Sequence, residues 1–175
     1  PPATRATDAM TALTERFAEA VRYAAIVHAT QVRKGTDVPY IGHLLGVASL
    51  VLDAGGEEDH ATAALLHDAA EDHGGEARLA DIRARFGDRV TRIVEECSDS
   101  LTEEPEGKEE WKVRKQEHLG RLESAGRDTL LVVLADKVHN ARAIVTDLQT
   151  LGPDRAFRRF KGTPQKVLWY YEENL

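Results

Sequence analysis

The sequence predicts an all-α fold built as one helical-bundle domain, and three observations carry that expectation. Apolar residues recur at helical spacing along almost the entire chain. Glycine and proline punctuate these runs, as at Gly35, Pro39, Gly55-Gly56, Gly87, Gly126 and Gly152-Pro153. Only LLVVLAD at 130–136 resembles a strand, and its apolar pattern continues helically through Val138, Ala141 and Val145. It reads as a buried helix.

The elements follow in order. A first helix is expected over about 8–30, where Leu13, Phe17, Val21, Ala24, Ala25 and Val27 share a face. QVRKGTDVPYIGH breaks it. A second helix is expected over about 41–53, ending at Gly55-Gly56, and a third over about 58–72, ending at Gly74-Gly75. Residues 79–86 and 88–98 read as two short helices joined at Gly87. TEEPEGKEE reads as a solvated connection. Charged and apolar helices follow over about 107–124 and 128–148, and a last helical region, 152–175, is broken near Gly162-Thr163-Pro164. No internal linker or repeat divides the 175 residues, so one domain over 1–175 is expected.

Composition narrows the function classes. The net charge of −7 argues against bulk nucleic-acid binding, which needs a basic footprint. No apolar run approaches the roughly 20 residues that span a bilayer, and the first residues, PPATRATDAMTALTERF, hold no apolar signal core. The lone Cys97 cannot form an internal disulfide, which fits a cytoplasmic setting. Placed among acids in IVEECSDS, it reads as a buried, inert thiol. A phosphorylated small molecule in a local basic pocket stays compatible with all of this. The sequence sets no oligomeric state.

AALLHDAAEDHGG, residues 63–75, holds the chemistry. An apolar helical run ends in His67, Asp68, Glu71, Asp72 and His73. Carboxylates and imidazoles crowded at the edge of a core repel one another and lose hydration, so a bound cation is the natural compensation. At about 100° per residue, His67, Asp68, Glu71 and Asp72 fall on one arc of a helix. His67 and Asp68 can give one nitrogen and one oxygen to one ion, and Glu71 and Asp72 sit a turn further on, near enough to handle water. Two isolated polar residues complete a ligand set. His43 opens an apolar helix in PYIGHLLGVA, and Asp136 follows five apolar residues in VVLADKVHN. Read alone, His43 is compatible with a core histidine bonded to a carbonyl, and Asp136 with a local cap or ion pair. Together with His67 and Asp68 they form a two-His, two-carboxylate set suited to Mn²⁺, Fe²⁺ or Zn²⁺. His28, His60, His73 and His118 read as packing or surface residues.

The order His43, His67-Asp68, Asp136 resembles the HD-domain phosphohydrolase superfamily. RKGTDVPYIGHLLGVA, AALLHDAAED, FGDRVTRIVEECSD and LADKVHNAR resemble, in order, the motifs of the hydrolase domain of RelA/SpoT-type alarmone enzymes. They are similar above all to its single-domain form, the small alarmone hydrolases of the Mesh type, over about residues 18–145. The resemblance implies a single HD-domain helical bundle that hydrolyses the 3′-pyrophosphate of guanosine tetra- and pentaphosphate with Mn²⁺, Zn²⁺ and Fe²⁺ being the alternatives. It implies His43, His67, Asp68 and Asp136 as metal ligands, and Glu71 and Asp72 as the catalytic pair that positions or activates water. It assigns Arg33, Lys34, Tyr40 and Asn140 to the nucleoside side; Lys137 and Arg142 read either as phosphate partners or as solvated surface charges.

Two departures stand out. Leu44 replaces the proline usual after the first ligand histidine, and Ala143 stands where many long relatives carry threonine. The nucleoside pocket is therefore less fixed than the ligand set. Adenosine alarmones, the 2′-phosphate of NADPH, or nucleotide sensing without turnover are the competing readings. No synthetase domain is read here, so the chain is expected to degrade the alarmone.

Overall fold

The computed structural model describes residues 12–98, 111–158, 160 and 163–173. Among them are ten helices: α1 Glu15–Val27, α2 Ile41–Asp53, α3 Glu58–Leu66, α4 Ala69–Asp72, α5 Gly75–Phe86, α6 Asp88–Cys97, α7 Trp111–Leu122, α8 Arg127–Leu151, α9 Pro153–Ala156 and α10 Pro164–Glu172. Extended pairing among the described residues is confined to an isolated bridge between Val32 and Pro39. The all-α expectation holds, and LLVVLAD lies inside α8. No helix among the described residues is long and apolar enough to cross a membrane.

The bundle is organised around α3. Its residues 60–66 are all buried, and it packs against α1, α2, α6 and α8. Ala61, Ala63 and Ala64 are fully buried, and their small side chains let the neighbouring helices approach closely. Leu44, Leu65, Leu66, Ile82 and Ile93 fill the space around them. Each such burial contributes roughly 1.5–3 kcal/mol, a reserve against which the fold can hold buried histidines and an aspartate.

The boundaries differ from the expected ones in instructive ways. The first helix begins at Glu15 rather than near residue 8. The Thr14 hydroxyl caps it by accepting from the Arg16 N–H, and Glu58 holds Thr14 in place. The expected helix over 58–72 is two helices, because His67 and Asp68 form a turn between α3 and α4. Asp68 takes φ −97°, ψ −5°, the sparsely allowed bridge conformation frequent at functional sites. Gly75 does not follow a helix end but starts α5, four residues before the expected position. α8 runs on to Leu151. The expected connection TEEPEGKEE lies outside the described residues.

Candidate metal centre

Three elements meet where the apolar interior of α3 runs out. The turn after α3 supplies His67 and Asp68, the first turn of α2 supplies His43, and the middle of α8 supplies Asp136. His43, His67 and Asp136 are buried and Asp68 is half-buried. One donor atom from each of His43, His67 and Asp68 lies within 4.8 Å of the other two. Asp136 closes the set: its Oδ1 stands 3.2 Å from His43 Nε2 and 3.8 Å from His67 Nε2. Asp68 Oδ2 lies 2.9 Å from His67 Nε2 and 3.8 Å from His43 Nε2.

Hydrogen bonds fix which atoms face the centre. The His67 Nδ1–H donates to the Ala64 carbonyl at 2.8 Å, so its Nε2 faces inward. That Nε2 is buried, with Asp68 Oδ2 2.9 Å away as an ion-pair partner but not in good hydrogen-bond alignment. The His43 Nδ1 lies 2.9 Å from His139 Nδ1, leaving His43 Nε2 toward the carboxylates. Tyr40 donates its hydroxyl to Asp68 Oδ2 at 2.6 Å. Asp136 Oδ2 accepts from Lys137 Nζ at 2.9 Å, and its Oδ1 accepts from the Asn140 amide. Asn140 in turn accepts at Oδ1 from Arg33 at 2.8 Å.

Imidazole lone pairs and carboxylate oxygens converging on one point repel unless a cation separates them. A divalent metal fits the donor set, because two imidazole nitrogens and two carboxylate oxygens crowd around one point. The proton affinities agree. Burial alone would lower the His67 pKa, yet Asp68 and Asp136 push it up to about 9. Burial would raise Asp136, but Lys137 and the two histidines hold it well below the carboxylate range. Tyr40 is pushed up, first by burial and then by Asp68, and stays a donor.

A cavity of about 230 Å³ opens beside the donors. Of the residues singled out in the sequence, Tyr40, His67, Asp68, Glu71, Asp136, Lys137 and Asn140 line it. Arg33 reaches the same region through Asn140. Asp72, the other half of the expected catalytic pair, is exposed and does not line the cavity; Gln31 donates to its Oδ2 at 2.8 Å. Lys34 and Arg142 are exposed and do not line this cavity.

Sequence reasoning missed several participants. His139 stands against His43 and Arg33, and the available signal is its position three residues after Asp136 on α8. Tyr170 and Tyr171 bring α10 into the cavity wall, with Lys137 Nζ 5.2 Å from the Tyr170 ring centroid. Cys97 also lines the cavity, and burial pushes its thiol well above the ordinary range, which fits the inert reading. His28 and His73 are more than isolated packing residues, since both reach Gln31.

The model of the HD domain matches residues 20–157 of the chain. The chain belongs to the HD-domain family. Within this family it is 39% identical, over 139 residues, to the guanosine-3′,5′-bis(diphosphate) 3′-pyrophosphohydrolase MESH1 of Xenopus tropicalis, covering 78% of this chain and 71% of the frog protein. The human MESH1 is 37% identical over 127 residues, covering 71% of this chain and 66% of that protein. A solved structure of a metazoan ortholog of SpoT that hydrolyzes ppGpp superimposes with a TM-score of 0.68 at 25% identity, covering 94% of this chain and 96% of that one. An HD domain implies divalent-metal dependence, and His43, His67 and Asp68 form a group that could hold such an ion.

Proposed function

We propose that this HD domain hydrolyses the 3′-pyrophosphate of guanosine tetra- and pentaphosphate, releasing pyrophosphate and GDP or GTP, and that it does so with Mn²⁺ in the cytoplasm. The observation that carries the reading is the convergence of His43, His67, Asp68 and Asp136 on one point beside a cavity that Glu71, Lys137 and Asn140 share. The MESH1 relatives, named for this reaction, support the substrate class.

When bound, the ion supplies Lewis acidity, withdrawing charge from a phosphate oxygen and lowering the pKa of water. The protein's side chains do the rest. Glu71 and Asp72 orient a water and take its proton as it adds to the phosphorus on the 3′ oxygen. The P–O3′ bond breaks, the 3′ oxygen gains a proton, and pyrophosphate leaves. Lys137 faces the charge that develops on the phosphates. Arg33, fixed by Asn140, offers its planar guanidinium to the nucleobase. Tyr40 holds Asp68 in place, while Lys34 and Arg142 approach the nucleotide from the exposed rim.

The test is pyrophosphate release from guanosine tetraphosphate by metal-stripped protein, before and after Mn²⁺, Zn²⁺ or Fe²⁺, with Asp68→Ala alongside. Release that needs Mn²⁺ and is lost in the variant is the expected result. Phosphate release from NADPH under the same conditions, with no pyrophosphate from the alarmone, would overturn it.

A further inference from the structure

Gln31 lies in the connection between α1 and α2, outside every motif that singled out the site. Its side chain nevertheless ends 2.8 Å from Asp72, to which its amide N–H donates. The other end of the same amide is fully engaged. Gln31 Oε1 lies 2.6 Å from His28 Nδ1 and 2.6 Å from His73 Nε2. The backbone is fixed as well: the Gln31 N–H donates to the His28 carbonyl at 3.1 Å, and the Gln31 carbonyl accepts from the Tyr40 N–H at 2.9 Å. The His28 ring stacks on Tyr40 at 5.3 Å and meets the His73 ring edge-on at 4.9 Å.

We infer that Gln31 is a positioning residue that aims the Asp72 carboxylate at the water used in the reaction. This rests on the role assigned to Asp72 above. The physical argument is polarity. An amide has an accepting end and a donating end. A carboxylate can only accept, so the NH₂ faces Asp72 and the amide oxygen is left to accept from the two imidazoles. A flip would set the amide oxygen against a carboxylate oxygen and its N–H groups against ring N–H groups. Asp72 therefore receives a donor from a fixed direction at one oxygen, and its other oxygen is left to turn toward water. A misplacement of about 1 Å at such a group costs on the order of 100-fold in rate.

The experiment uses Gln31→Met, which keeps length and removes the donor, and Gln31→Glu, which keeps shape and puts a carboxylate beside Asp72. Both are compared with Asp72→Asn and with the Asp72→Asn/Gln31→Met double variant. The expected result for each Gln31 variant is a fall in kcat of about 10- to 100-fold, with KM for the nucleotide and Mn²⁺ affinity by calorimetry within about twofold of the parent. In the Asp72→Asn background, Gln31→Met should lower kcat no further, because there is no carboxylate left to aim. Full kcat in the single Gln31 variants, with Asp72→Asn impaired, would overturn the inference alone. So would a Gln31→Met loss that repeats on top of Asp72→Asn, which is what a merely structural role gives. Full kcat in Asp72→Asn would overturn the assignment of Asp72 itself, and this inference with it.

Discussion

His43 and His139 face each other Nδ1 to Nδ1 at 2.9 Å, and one proton serves both nitrogens. Burial, His43 and Arg33 together press the His139 pKa down to about 4, so His139 is neutral. Arg33 Nη1 also stands 3.4 Å from the same His139 nitrogen. A guanidinium can only donate, so the His139 nitrogen it faces is the acceptor. The proton therefore resides on His43 Nδ1, and His43 Nε2 is free to bind metal. Such supporting partners are commonly worth 10- to 100-fold in metal affinity. His139→Leu is expected to weaken Mn²⁺ binding by about that factor in calorimetric titration, with the helical signature by circular dichroism unchanged. Unaltered affinity would show that His43 keeps its tautomer without His139.

The His139 ring has its place because residue 46 has no side chain. A Cβ built at Gly46 would sit 2.2 Å from His139 Nε2, far inside contact distance. Gly46→Ala is therefore expected to destabilise the fold by roughly 1–3 kcal/mol in denaturant unfolding. The penalty should largely vanish when His139 is also reduced to alanine, since the clash needs both partners. Equal destabilisation in the single and double variants would place the cause elsewhere.

Lys137 is the cation that Asp136 keeps when no metal is present. The two side chains are 18% and 12% exposed and meet at 2.9 Å. Breaking a buried pair by removing one partner leaves an uncompensated charge, at a cost of about 3–5 kcal/mol. Lys137→Met should lower the unfolding free energy of the metal-stripped protein by about 3 kcal/mol. Added Mn²⁺ should recover part of that loss, because the ion supplies the missing positive charge. A deficit of the same size with and without metal would mean that Lys137 acts only by packing against Tyr170.

The convergence of His43, His67, Asp68 and Asp136 was legible in the sequence for a physical reason. His43 and Asp136 each interrupt an apolar run, and a buried polar group in such a place needs a partner. The helical class was legible too, since α2 carries the same bounds that its Gly55-Gly56 stop suggests. The break at His67-Asp68 was not, because no Gly or Pro marks it and both residues keep right-handed helical signs of φ and ψ. The Gln31 contact to His73 was hidden by a separation of 42 residues. Tyr170 and Tyr171 were hidden in the same way, as two aromatics on a late helix with no pattern tying them to Asp136.

Far from the metal centre, Asp128 joins α8 to α6 and α3. Its Oδ2 accepts from Arg89 Nε at 2.9 Å, and its Oδ1 stands 3.0 Å from His60 Nε2. Hydrogen bonds from Arg89 and His60 hold its pKa down to about 2. A carboxylate depressed in the folded state adds stability above its unfolded pKa, about 3.9, and loses it as the pH falls through the folded value. The side chain is 31% exposed, so solvent screening trims the contribution to roughly 1 kcal/mol. Asp128→Asn is expected to unfold about 1 kcal/mol more easily than the parent at pH 7. The two proteins should converge between about pH 4 and pH 2, as protonation removes the same charge from the parent. The check is denaturant unfolding of both at steps across that range. A gap that stays constant down to pH 2 would mean that the loss comes from packing rather than from the carboxylate charge.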